Sequence, residues 1–160
     1  MAEEKKQEEK KPAGETKAVK GAWDVKYKWT FRTDLMDRYV AGLKEKKLWG
    51  TRCGKCGRVF APPKDICGKC YEVIEDNWVE VKDHGELVNY TVGYTSITGQ
   101  PYPEPQITGT IRFEGSDSWV LGSIKGVKPE DIKVGMKLKV VWRAEPKGQL
   151  SDIEYYAPAD

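Results

Sequence analysis

The sequence predicts a mainly β chain: one helix, then a small metal-stapled ribbon, then a closed five-stranded barrel. Three observations carry this. Four cysteines stand in two C-x-x-C pairs, ten residues apart. From Trp78 onward apolar residues recur at every second position, in runs separated by Gly, Pro and Asp turns. Between Asp34 and Lys47 they recur instead at three- and four-residue steps, the period of a helix.

The first twenty residues hold six Lys and five Glu and no aromatic residue. Such a stretch buries too little apolar surface to offset its ordering entropy, so 1–22 reads as a flexible, solubilising charged tail. No apolar run approaches the ~20 residues of a membrane span, and the N-terminus lacks the apolar stretch of a signal peptide. The chain is therefore expected in the cytoplasm, where thiols stay reduced and paired cysteines favour metal over disulfides.

Residues 23–48 form the expected N-terminal helical segment. Trp23, Tyr27, Trp29 and Phe31 crowd its start, and Asp34 is placed to cap a helix whose apolar face is Leu35, Met36, Tyr39, Val40 and Leu43. Lys44, Lys46 and Lys47 suit the negative end of its dipole. Trp23, Trp29 and Phe31 add a second apolar surface, for the core or for a protein partner.

The ribbon spans 49–76. Each C-x-x-C bends tightly enough to aim both thiolates at one point, and Gly57 suits the left-handed backbone that such a turn needs. Four thiolates, Cys53, Cys56, Cys67 and Cys70, meet the tetrahedral preference of structural zinc, at about 2.3 Å from the ion. Iron in a rubredoxin-like site, two disulfides, or a redox C-x-x-C are the alternatives. A site closed by four ligands leaves no position for water or substrate, so its expected role is structural.

The barrel is assigned to 77–160. Trp78 to Val92 reads as one long strand bent at Gly85, and Gly99 to Pro105 as a loop because three prolines remove ladder donors. Ile107–Phe113, Trp119–Ile124, Lys137–Arg143 and Leu150–Tyr156 supply four more strands, with one helical turn at Pro129–Ile132. Five antiparallel strands with a helical element between the third and fourth match an OB-type barrel, whose closure hides its edges.

The mild net charge of +2 names no partner by itself, but its distribution is uneven. Lys44 to Cys70 holds eight Lys or Arg against two acids, and Tyr71 to Gln100 holds six acids against one Lys. Lys47, Arg52, Lys55, Arg58, Lys64 and Lys69 surround the ribbon. They form either a solvated surface or a patch for a ligand's phosphates or an acidic partner. All four thiols are committed to the metal, and His84 is the single histidine, expected in a structural or partner-facing role. No nucleophile elbow, dinucleotide fingerprint or phosphate loop occurs, so the chain is not expected to catalyse a reaction on its own.

The order helix, tetra-cysteine ribbon, OB barrel resembles the zinc-ribbon/OB-fold accessory proteins that accompany thiolases and related acyl-CoA enzymes. The residues that carry the resemblance are Gly42-Leu43, Leu48, Arg52 to Gly57, Phe60 to Lys64, Trp78 to Val81, His84 to Val92 and Val127 to Leu138. Tyr71 departs from it where a small residue is usual, and so does Lys64 where arginine is expected. The resemblance implies a non-catalytic subunit that binds a thiolase-like protein as a hetro-oligomer and helps shape a coenzyme A ester site. Members of the family accompany acetoacetyl-CoA and HMG-CoA synthesis, steroid side-chain breakdown and thiolysis of aromatic acyl-CoA esters. The alternative is a single-stranded nucleic-acid-binding OB module in which Tyr90, Tyr94, Trp119 and Trp142 stack bases. The acidic stretch 71–100 speaks against that alternative.

Overall fold

The computed structural model describes residues 26–28, 34–96 and 98–159. The tail 1–22 and the aromatics Trp23, Trp29 and Phe31 lie outside the described residues. The first element is α1 (Asp34–Lys44), with Asp34 and Asp37 in its first turn and Lys44 in its last, complementing the helix dipole. Of the expected apolar face, Tyr39 and Leu43 are fully buried, while Met36 and Val40 pack against the core from its margin.

β1 (Leu48–Arg52) follows and forms the centre of a three-stranded antiparallel sheet. Its neighbours are β2 (Val59–Phe60) and β3 (Trp78–Val81). The barrel is built from β4 (His84–Thr95), β5 (Pro101–Phe113), β6 (Val120–Ile124), β7 (Lys137–Trp142) and β8 (Ile153–Pro158). It closes in the order β4-β5-β6-β8-β7, the OB topology. The ribbon and the barrel fall within a single unit of the chain.

Several expectations need correction. The long strand bent at Gly85 is two strands: Trp78–Val81 joins the ribbon sheet through Leu48↔Val81, and the chain turns at Lys82–Asp83. Gly85 instead lies inside β4, paired with both Phe113 and Leu138. A side chain there would drive into the Arg112 carbonyl, so glycine is needed for close approach rather than for a bend. The proline segment is not a loop but the first half of β5. Pro101, Pro103 and Pro105 are spaced two apart, so their missing donors fall along one edge, and β6 pairs only from Ile107 onward. The strands are not all antiparallel, because β6 and β8 meet in parallel at Ile124↔Tyr156. The single helical turn expected at Pro129–Ile132 is present as a hydrogen-bonded turn, with the N–H groups of Asp131 and Ile132 both donating to Lys128 O. The last strand starts at Ile153, after a short 3-10 turn, Leu150–Asp152. The Asp152 carboxylate organises that turn by accepting from the N–H groups of Lys147, Gly148 and Gln149.

One cluster of buried side chains runs through helix and barrel, including Tyr39, Leu43, Leu87, Ile111, Phe113, Leu138 and Tyr156. Val59 and Ala61 of the ribbon belong to it as well. The loop between β5 and β6 stitches that strand down. Val59 N–H donates to Asp117 Oδ2 (2.9 Å), and Asp117 N–H donates to Val59 O (2.8 Å). Ser118 Oγ accepts from Ala61 N–H (2.8 Å) and donates to Ala61 O (2.9 Å). These bonds fix the ribbon against one end of the barrel.

Candidate metal centre and adjoining cleft

The two C-x-x-C turns have the same backbone. Gly57 N–H donates to Cys53 O and Tyr71 N–H donates to Cys67 O, each at 2.9 Å. Both closing residues are left-handed, with φ 73 at Gly57 and φ 58 at Tyr71. Glycine reaches that region freely, whereas an L side chain costs about 1–2 kcal/mol there. The expectation for Gly57 holds. At the second turn the departure noted in the sequence has a physical meaning, since Tyr71 makes the glycine's turn against its own preference.

The turns bring the four Sγ atoms within 4.8 Å of one another. Cys56 Sγ and Cys67 Sγ are 3.7 Å apart. A tetrahedron with arms of about 2.3 Å has edges of about 3.8 Å, so the quartet fits a zinc ion at its centre. Cys53 and Cys67 are buried and Cys56 and Cys70 half-buried. Burial pushes the Cys67 thiol up, but the N–H groups of Cys70 and Lys69 and the thiols of Cys53 and Cys56 outweigh it and hold it at about 7. When bound, zinc supplies a cross-link and deprotonates all four thiols; it offers no open position for substrate.

Around this centre the structure separates the six basic candidates. Arg58, Lys64 and Lys69 line one cleft of about 470 Å³, whose other side is the β5–β6 loop with Trp119. Lys64 Nζ lies 5.3 Å from the centre of the Phe60 ring on its wall. Trp119 is 61% exposed and leaves its indole open to the cleft. The one acid on the wall, Asp117, already accepts from Val59 N–H. Lys55 instead pairs with Glu72 at 3.0 Å, and Lys47 with Glu45 at 3.3 Å. Arg52 is exposed on β1, off the cleft wall. Sequence reasoning missed Asp117, Ser118 and Trp119 as cleft residues because they lie more than forty positions beyond the last cysteine. Nothing local marks such a contact.

The remaining candidates are less concentrated. Tyr94 is exposed like Trp119, but Tyr90 and Trp142 pack against the core, and Tyr90 OH donates to Ile132 O. The four aromatics do not share one exposed face. His84 is half-exposed between two carboxylates, with Nδ1 3.4 Å from Asp83 Oδ1 and Nε2 3.3 Å from Glu114 Oε2. Its ring bridges two surface acids and orients no nucleophile. Among the described residues no helix is long and apolar enough to cross a membrane.

Comparison with known proteins agrees with this architecture. Residues 40–72 match the family model described as the ChsH2 rubredoxin-like zinc ribbon domain, and residues 78–143 match that of the ChsH2 C-terminal OB-fold domain. A DUF35 domain-containing scaffold protein of Methanocaldococcus jannaschii is 29% identical over 117 residues, 72% of this chain and 82% of that protein. One from Pyrococcus furiosus is 28% identical over 110 residues, 68% of this chain and 78% of that protein. Among solved structures, a DUF35-family protein of unknown function from Sulfolobus solfataricus superposes with a TM-score of 0.62 at 29% identity, covering 79% of this chain and 86% of that one. A chain of the Ltp2-ChsH2(DUF35) aldolase shares the fold, with a TM-score of 0.53 at 21% identity over 77% of this chain and 93% of that one. With one model on the ribbon and the other on the barrel, the chain combines a ChsH2-type rubredoxin-like zinc ribbon with a ChsH2-type OB-fold domain.

Proposed function

We propose that this chain is a non-catalytic, zinc-containing subunit of a thiolase-type acyl-CoA enzyme complex, needed for assembly and for shaping the acyl-CoA site. The observation that carries the reading is the pairing of a closed tetrathiolate with the adjoining cleft. The metal centre has no open ligand position, and the cleft beside it collects Arg58, Lys64, Lys69 and exposed Trp119. Three cations facing one already-bonded carboxylate suit a diphosphate, and an exposed indole suits the face of a nucleobase. Coenzyme A carries both groups at the end remote from its thioester. The partner supplies the catalytic cysteine and histidines.

Two likenesses support an accessory role. The archaeal relatives are described as scaffold proteins, and the Ltp2-ChsH2(DUF35) aldolase contains a chain of the same fold. Within this class, the charged tail and the aromatic-rich residues 23–31 resemble the small subunit of benzoylsuccinyl-CoA thiolase. The reaction served is then CoA-dependent thiolysis of an aromatic β-oxoacyl-CoA.

The test is co-expression with thiolase-type subunits of the same genome. A stable hetero-oligomer is expected, with activity that falls when this chain is omitted. Zinc-free Cys67→Ser should abolish assembly, while Lys64→Glu and Trp119→Ala should assemble normally and weaken acyl-CoA binding about tenfold. Full activity of the thiolase without this chain, or normal assembly of the Cys67→Ser variant, would refute the reading.

A further inference from the structure

The outer half of the β4–β5 hairpin stands apart from the rest of the chain in composition. Across the eighteen positions from Asn89 to Gln106 the one charged residue is Glu104, in a protein that is 32% charged. Tyr94 and Tyr102 are exposed there at 60% and 39%. Depletion of charge with exposed tyrosine is the composition of an interface centre, not of a solvated surface.

The two edges of this ribbon differ. On the barrel side, β7 covers β4 only from His84 to Glu86, and the loop before it continues the cover for one more residue, with Leu87 N–H donating to Met136 O and Gly135 N–H to Leu87 O. Beyond that point no strand lies beside β4 among the described residues. The Tyr90 N–H is taken by Asn89 Oδ1 at 2.7 Å, a side chain standing in where a ladder carbonyl would be. Strand alternation turns the Val92 N–H to the same open edge. On the opposite edge β6 ends its pairing at Ile107, and Pro101, Pro103 and Pro105 present no donors. Prolines on an exposed edge block strand addition, whereas an edge with free donors and acceptors invites it. The turn at the tip is already satisfied internally, with Ser96 N–H donating to Gln100 O and Gly99 N–H to Ser96 O. One edge is therefore closed to a further strand and the other is open.

We propose that residues 89–106 are the arm with which this chain holds its catalytic partner, and that the partner lays an extended, uncharged segment along the β4 edge at Tyr90–Tyr94 as an added strand. The partner's identity as a catalytic subunit rests on the function proposed above. The occupant's chemistry follows from the arm itself. Main-chain pairing supplies the hold, and the near-absence of charge on both faces calls for an uncharged segment, since a charged one would lose hydration without gaining a counter-ion. Tyr94, exposed beside the open edge, is placed to cover such a strand.

The experiment is hydrogen exchange on the full chain, alone and in its complex with a co-expressed thiolase-type subunit. Amides at Tyr90 and Val92 should exchange at least tenfold more slowly in the complex, while those at Tyr102 and Glu104 change little. In parallel, a Thr91→Lys/Tyr94→Lys variant should raise the dissociation constant at least tenfold, and Glu104→Lys on the proline edge should leave it unchanged. Both side chains of the double variant are exposed, so the melting temperature of the isolated chain serves as the folding control. A complex that forms with Tyr90–Tyr94 unprotected and with the double variant binding normally overturns this inference alone. Protection of the same edge in the isolated chain, rising with its concentration, assigns the edge to a second copy and also overturns it. Failure to form any complex overturns both this inference and the proposed function.

Discussion

Removing the metal should melt the second knuckle and leave the barrel standing. Around the ribbon's ligands the buried cluster consists of Cys53, Phe60, Cys67 and Ile74, so only Phe60 and Ile74 contribute apolar burial without being ligands. Burying two such side chains contributes about 3–6 kcal/mol. A structural zinc contributes an apparent ~10–16 kcal/mol at neutral pH. The metal thus carries the larger share, and the remainder cannot hold the turns. The two halves of the ribbon differ, however. Val59 and Ala61 are bonded to Asp117 and Ser118 and belong to the barrel's own cluster, whereas Cys67 to Ile74 has no such anchor among those bonds. The assay is hydrogen exchange on the reduced protein before and after chelation. Cys67 N–H (to Glu72 O), Tyr71 N–H (to Cys67 O) and Ile74 N–H (to Asp65 O) should lose protection. Leu87 and Val140, whose N–H groups donate to Met136 O and Asp83 O, should keep theirs. Persisting protection at Cys67, Tyr71 and Ile74 in metal-free, reduced protein would falsify the reasoning, as would parallel opening of the barrel.

Tyr71→Gly should raise the stability of the zinc-loaded protein by about 1 kcal/mol, because it removes the cost of a left-handed tyrosine; thermal unfolding of the two proteins side by side checks this. Gly109→Ala should destabilise by about 1–3 kcal/mol, since its Cβ would lie 2.6 Å from Leu87 Cδ1 and 2.8 Å from Ile124 Cδ1. Gly93→Ala, whose nearest neighbour would be 3.8 Å away, is the matched control, and urea midpoints should separate them. Burial pushes the Asp152 carboxyl up, but the N–H groups of Lys147, Gln149 and Gly148 and the charge of Arg143 outweigh it and hold it below the usual carboxylate range. A carboxyl that is lower folded than unfolded adds stability above its unfolded pKa, and that stability is lost as pH falls through the folded value. Asp152→Asn should therefore lower the melting temperature at pH 7 and flatten its decline below pH about 4. An unchanged slope would show that this group is not the titrating one.

Much of this was legible because local spacing dictates it. The C-x-x-C pairs specify their own turns, and the positions of Tyr39 and Leu43 specify the buried face of α1. What failed depends on partners distant in sequence. Trp78–Val81 alternates like any strand, and only β1, thirty residues earlier, decides that it joins the ribbon. Prolines read as a loop unless one knows that a neighbouring strand stops short of them. The basic stretch was visible, but its division into three cleft residues and three others depends on where the Trp119 loop lands.

The bonds from Ser118 to Ala61 span 57 positions, and this has a consequence during synthesis. At about 5–20 residues per second, Ala61 emerges roughly 3–11 s before its anchor exists. For those seconds the cysteine turns stand without the surface on which they dock, and their thiols are open to other thiols and metals. Because the barrel stands without the metal, an ion that arrives after synthesis finds that surface already built, and early capture shortens only the time for which the thiols are exposed.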